Sequence, residues 1–272
     1  VRALAAEYPG DIQSVLLESP AMPEQGSAAF STRAIQRAVD TVITRCNARL
    51  PCRLGVPSIR TTLAAWLASL DQAPLEIAWA TIPYPSRHLV VAADTLLAGL
   101  LFASYDPGTA ATIAPRLRRA IGNTAALRSL LRPVAELGQT SAAHAPVYWS
   151  MRCSLPDPAT GSEPSGSAPR LDITAYLDSA DHRPACRNWP VANRPALASF
   201  GALSGRIVYG GDDIVTPPGL IEATLVDSPA LHGVSVAGGG HLPLRQSPCA
   251  LGYIADWLND DISAGAGKLC SR

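Results

Sequence analysis

The sequence has little of what would mark several common functions. Its 272 residues include two Met and five His, and no two cysteines stand as a C-x-x-C pair, so a zinc centre built from closely spaced thiolates and imidazoles is not expected. Neither a metal nor a cofactor is expected. Charge of neither sign prevails, because 22 Lys and Arg balance 22 Asp and Glu, and the basic residues are scattered. That excludes the concentrated positive footprint nucleic-acid binding needs. Long apolar runs are also missing. The stretch Leu89 to Ser104 is shorter than the roughly 20 residues of an ordinary membrane span and carries Asp94, so it reads as a buried core helix. No Met opens the chain at Val1, and no basic stretch followed by an apolar region and a small-residue cleavage site appears near it; the natural N-terminus is expected upstream.

What the chain does have is 24 Pro and six cysteines, Cys46, Cys52, Cys153, Cys186, Cys249 and Cys270. Together these suit an oxidising compartment better than a cytosol, the rival reading being six unrelated buried thiols. Six cysteines allow many pairings, and spacing alone does not choose among them. A chain of this length buries one sizeable core, or one core with a subsidiary layer.

Three compositional regions follow one another. Val1 to Tyr8 is rich in helix formers but has no N-cap of its own, and reads as the tail of a helix. Pro9-Gly10-Asp11 breaks it, and Ile12 to Glu18 supplies a nearly continuous apolar run, as in a strand covered on both faces. From about Ser27 to Leu137 apolar residues recur at helical spacing, predicting helices over Ser31–Cys46, Ser58–Leu70, Leu89–Ser104 and Ala114–Ile121. Pro156 to Pro169 is dense in Pro, Gly and Ser and is expected to be a mobile loop. A strand–helix alternation then returns: Gly205–Gly210 and Gly233–Ala237 as strands, Pro217–Asp227 and about Ser247–Asp260 as helices. That spacing favours parallel pairing with crossover helices. The expected organisation is an α/β core over 1–26, a mainly helical insertion over 27–170, and a second stretch of α/β core over 171–272.

Chemistry concentrates in two loops after strands. In Gly210-Gly-Asp-Asp-Ile-Val-Thr-Pro-Pro218 two carboxylates occupy the turn that leaves a strand, where functional side chains of an open parallel sheet gather. Gly238-Gly-Gly-His-Leu-Pro243 puts a histidine in the corresponding turn of the next strand, and the three glycines let the backbone turn sharply beside it. An aspartate that accepts a hydrogen bond from one imidazole nitrogen fixes the tautomer. It also stabilises the imidazolium formed when the other nitrogen takes a proton. Asp213 and His241 are the candidates for acid and base, in the order that α/β-hydrolases use. Asp212 is a second candidate for the acid. His88, His144, His182 and His232 have no such context and read as packing or surface residues, and the five tryptophans as core, with Trp149 a candidate to line a substrate entrance.

Through nearly its whole length the chain resembles the tripeptidyl aminopeptidase-like branch of the α/β-hydrolases, related to the proline iminopeptidases. Glu7-Tyr-Pro-Gly-Asp-Ile-Gln-Ser-Val-Leu-Leu17 is similar to the segment after that family's nucleophile helix. Tyr209 to Pro218 resembles its acid loop, with Asp213 matching the catalytic aspartate, and Gly238 to His241 resembles its histidine loop. Cys46-Asn-Ala-Arg-Leu-Pro-Cys52 resembles a short cysteine loop in the family's cap, and Cys186-Arg-Asn-Trp-Pro190 its Cys-x-x-Trp-Pro element. Cys249 and Cys270 bracket the last helix as in many members. The resemblance implies the pairs Cys46–Cys52, Cys153–Cys186 and Cys249–Cys270.

Two departures stand out. Glu18-Ser19 replaces an Asp-Gly common in the family, so a substrate-amine role at that position does not carry over. No G-x-S-x-G occurs, and Gly201-Ala-Leu-Ser204-Gly205 is no substitute because its serine precedes a strand. The resemblance therefore implies the C-terminal part of an α/β-hydrolase parallel sheet with an inserted helical cap, secreted or periplasmic. Its expected activity is exopeptidase cleavage of a peptide substrate through a Ser-Asp-His triad whose serine lies upstream of Val1. An esterase or lipase of the same fold and a non-catalytic fragment are the rival readings. The missing N-terminal part is the expected protein partner; nucleic acid and membrane are not expected.

Overall fold

The computed structural model describes residues 2–8, 10–21, 27–54, 57–79, 88–136, 150, 153, 171–177, 183–190, 200, 203–259 and 268–271. The loop expected over 156–169, together with His144, His182 and Trp149, lies outside them. In chain order the elements begin with α1 (Arg2–Glu7), β1 (Val15–Glu18), α2 (Ser27–Asn47), α3 (Leu50–Arg53) and α4 (Ile59–Gln72). A hairpin-like pair follows, β2 (Leu75–Ala78) and β3 (His88–Val91), then α5 (Ala93–Ala103), α6 (Pro107–Ala110), α7 (Ile113–Ala120) and a helix α8 over 124–136. After α9 (Thr174–Leu177) and α10 (Arg183–Asn188) come β4 (Gly205–Gly210), α11 (Pro218–Val226), β5 (Leu231–Ala237), α12 (Pro248–Leu258) and β6 (Lys268–Ser271).

The chain divides into two compact units. One comprises Val1–Met22, Tyr105–Pro107 and Ala192–Arg272; the other comprises Pro23–Ser104 and Gly108–Val191. The first is a mixed α/β unit built on a four-stranded sheet in the order β1-β4-β5-β6, parallel throughout. Side chains alternate across it as the pleat requires. Ile207 and Tyr209 of β4 pack with Ile221 of α11, whereas Val208 shares the opposite face with Val234, Val236 and the α12 residues Ala250, Tyr253 and Ile254. Arg206 points to the α12 face, its guanidinium 5.2 Å from the Trp257 ring centroid and 6.0 Å from that of Tyr253. These ring contacts offset part of the cost of a buried guanidinium whose Nε and Nη2 have no hydrogen-bond partner.

The second unit is mainly helical. Its core joins Val39, Val42 and Ile43 of α2, Leu63 and Leu67 of α4, and Leu96, Leu97 and Leu100 of α5. The spacing of each set places it on one helical face, and α5, apolar almost all round, has no exposed residue. Ser58 caps α4 by accepting the Thr61 N–H at 3.1 Å.

Three disulfides are present, Cys46–Cys52, Cys153–Cys186 and Cys249–Cys270, the set implied by the resemblance. The last ties β6 to the first turn of α12. Ser247 adds to it by accepting the Ala250 N–H as the α12 N-cap and donating its hydroxyl to the Ser271 carbonyl at 2.6 Å.

The elements correct the sequence reading in three places. The helix expected over Leu89–Ser104 begins only at Ala93, because the β-branched Val90 and Val91 extend into β3 and pair antiparallel with β2. A strand, β6, follows α12 where the sequence pattern predicts no element. The run Ile12–Glu18 becomes a strand only from Val15, and it is not covered on both faces: Val15 is buried but Leu16 is 39% exposed. Among the described residues no helix is long and apolar enough to cross a membrane.

Candidate active site

Parallel strands end together, so the loops leaving β4 and β5 emerge side by side at the carboxyl end of the sheet. Gly210 closes β4 where the two loops meet: a Cβ there would overlap the Gly239 and Gly240 carbonyl oxygens. Glycine at this position therefore lets the acid loop and the histidine loop pack main chain to main chain, and the Asp212 N–H donates to the Gly239 carbonyl at 2.8 Å.

In that setting the Asp213 carboxylate and the His241 imidazole meet, with Oδ2 3.0 Å from Nδ1. The carboxylate is fully buried and accepts three further hydrogen bonds. The N–H groups of Val215 and Thr216 donate to Oδ1 at 2.8 and 2.9 Å, and the Thr216 hydroxyl donates to Oδ2 at 2.7 Å. Burial pushes the Asp213 carboxyl upward. The hydrogen bond and positive charge of His241, with the two Thr216 donors, outweigh it and hold the carboxyl below its ordinary value. An ionised carboxylate only accepts, so Nδ1 carries the proton and, in the neutral ring, Nε2 is the nitrogen with a lone pair. Asp212, the alternative acid, is exposed, and the bond to His241 belongs to Asp213.

The histidine loop is held from three directions. Gln246 grips it locally: its Oε1 accepts the Gly240 N–H and its Nε2 donates to the His241 carbonyl, both at 3.0 Å. The end of β1 grips it from across the sheet, where Glu18 Oε1 accepts the Leu244 N–H at 2.8 Å and Ser19 Oγ accepts the Leu242 N–H at 3.2 Å. Ser19 and Leu242, with φ of 43° and 58°, are the two non-glycine residues at positive φ among those described. Each such backbone costs on the order of 1–3 kcal/mol, and such strain gathers where surroundings over-determine it. The third hold is Tyr105, whose carbonyl accepts the His241 N–H at 2.8 Å and whose ring stands edge-on to the imidazole, centroids 4.6 Å apart. Burial, then the charge of Asp213, pushes the Tyr105 hydroxyl up to about 12, so it stays neutral.

Other residues singled out from sequence lie elsewhere. Ser204 precedes β4, at the opposite end of a six-residue strand from Asp213, a separation of roughly 20 Å at strand rise. His88 lies in β3 of the helical unit. His232 pairs with Arg206 in the strand register, where burial and then the Arg206 charge hold its imidazole below the ordinary value. Thr216, Gln246 and Tyr105 are the site residues that sequence reading passed over, and Glu18 and Ser19, singled out there only for standing where an Asp-Gly is common, hold the histidine loop. Thr216 was within reach, since a hydroxyl three residues after an aspartate in a turn commonly bonds to it. Among the described residues no three His, Cys, Asp or Glu stand together as a metal site. No protein-family model and no curated protein matches this chain.

Proposed function

We propose that this chain supplies the acid and the base of a serine hydrolase of the α/β-hydrolase fold, acting as an exopeptidase on peptides, with the attacking serine outside these 272 residues. One observation carries the reading: a buried carboxylate with four hydrogen-bond donors holds an imidazole at 3.0 Å, at the carboxyl ends of adjacent parallel strands. In such a site His241 Nε2 takes the serine proton as the hydroxyl oxygen attacks the carbonyl carbon. The resulting imidazolium is stabilised by Asp213, and the same proton then passes to the departing amine. The tripeptidyl aminopeptidase-like resemblance in the acid, histidine and cysteine loops supports the peptide substrate. Three disulfides support a secreted or periplasmic setting.

The test uses a fluorophosphonate probe on the 272-residue chain and on a longer protein containing it. Labelling is expected on one serine of the longer protein and on none within these residues, and before labelling the longer protein's peptide arylamidase activity should exceed its activity on acyl p-nitrophenyl esters, both being lost on labelling. Asp213→Asn in the longer protein should lower turnover by about 10⁴-fold, as the analogous change does in serine proteases. Stoichiometric labelling of a serine inside the chain, or full turnover in the Asp213→Asn variant, overturns the reading; faster ester cleavage moves it to an esterase.

A further inference from the structure

Tyr105, Asp106 and Pro107 belong to the sheet unit although the chain on both sides of them belongs to the helical unit. Their place there is set by the histidine loop. A Cβ on Gly240 would overlap the Tyr105 carbonyl oxygen and come within 2.6 Å of Pro107 Cδ, so a glycine at 240 is what lets this tripeptide lie against the loop. The Tyr105 carbonyl then takes the His241 N–H at 2.8 Å, and the tyrosine ring meets the imidazole with planes at 68°.

These contacts constrain what Asp213 leaves free. The hydrogen bond to Nδ1 tolerates a range of lengths and angles, so within that range the ring can still swing about the Cβ–Cγ bond and carry Nε2 with it. An edge-on aromatic neighbour narrows that swing, because edge-to-face pairs favour some ring orientations over others. We propose that Tyr105 is a positioning residue for His241, its carbonyl holding the main chain and its ring holding the imidazole plane so that Nε2 faces one direction. The proposal rests on the reading of His241 as the proton acceptor. Because the effect belongs to the ring, the hydroxyl is dispensable. Because the hydroxyl stays neutral, the tyrosine adds no charge beside Asp213.

The experiment is proton and nitrogen NMR of the imidazole in the 272-residue chain. A proton held between His241 Nδ1 and the Asp213 carboxylate resonates far downfield, and its exchange with water reports how firmly the ring is held. The wild-type chain should show this signal and Asp213→Asn should abolish it. Tyr105→Ala should accelerate its exchange by about fivefold to tenfold, the loss of one aromatic edge contact, and Tyr105→Phe should restore the wild-type rate. Tyr105→Leu keeps apolar bulk and the main-chain carbonyl, and it should exchange as fast as the alanine variant with an otherwise unchanged amide spectrum. It decides the matter if the alanine variant does not fold. If the downfield signal is absent or does not depend on Asp213, the acid–base reading fails and this proposal with it. If the signal depends on Asp213 but exchanges at the wild-type rate in the leucine variant, or is lost equally in the phenylalanine variant, only the role of Tyr105 fails.

Discussion

Asp213 is a buried carboxylate whose oxygens are each met by two donors, two main-chain N–H groups on one and a hydroxyl and an imidazole on the other. That arrangement gives the fold a pH dependence with a definite sign. The folded-state value lies below the ordinary 3.8, so the unfolded chain binds the proton more readily and folding favours the ionised form. The contribution is fully present above the unfolded value and is lost as pH falls through the lower folded value. Denaturant titrations from roughly pH 5 down to roughly pH 2 should show wild type losing more stability than Asp213→Asn, which has no proton to gain. Parallel profiles for the two proteins would mean that the hydrogen bonds around Asp213 do not favour its charge.

The histidine loop is held from within its own segment as well as from β1, and Gln246 is where this is easiest to measure. Its side-chain amide replaces a missing stretch of ladder, accepting from Gly240 and donating to His241. Gln246→Ala removes both bonds and should cost ~1–3 kcal/mol, near the usual worth of two such interactions. It should also speed hydrogen exchange at the Gly240 amide, and an unchanged exchange rate there would show that the loop is held without it. The proximity of Asp213 and His241 is legible in sequence because it needs only two facts, consecutive strands and parallel pairing, and both are local patterns. What surrounds the pair is not local. Ser19 and Glu18 meet the histidine loop across separations of 223 and 226 residues, and neither periodicity nor turn chemistry specifies such a contact. Tyr105 sits after a helix that reads as plain core. The strand β6 is four residues long, too short for alternation to declare itself, and it is fixed by a disulfide and the Ser247 hydroxyl instead. β3 was hidden because the apolar run of α5 continues into it without a polar break.

At the scale of the molecule, the covalent crosslinks follow the division into units. Cys46–Cys52 and Cys153–Cys186 lie within the helical unit and Cys249–Cys270 within the sheet unit. Each unit also has its own apolar clusters, one dominated by α2, α4 and α5, the others on the two faces of the parallel sheet. Closing the loop between Cys249 and Cys270, a separation of 21 residues, stabilises by ~3 kcal/mol in the chain-entropy model. That stabilisation belongs to the structure on which β6 and α12 depend. Replacing both cysteines with alanine should therefore raise exchange across β4, β5 and α12 while leaving the helical core around Leu96 and Leu100 at its original protection, because the crosslink lies within the sheet unit and local opening follows such units. In that variant β6 loses its covalent tie and keeps the hydroxyl bond from Ser247 to the Ser271 carbonyl, so it should fray before β5 opens. Exchange mass spectrometry on the oxidised wild type and the double variant distinguishes the cases. Equal loss of protection in the helical core would mean that the two units unfold as one cooperative body, and that the disulfide between α12 and β6 stabilises the whole chain.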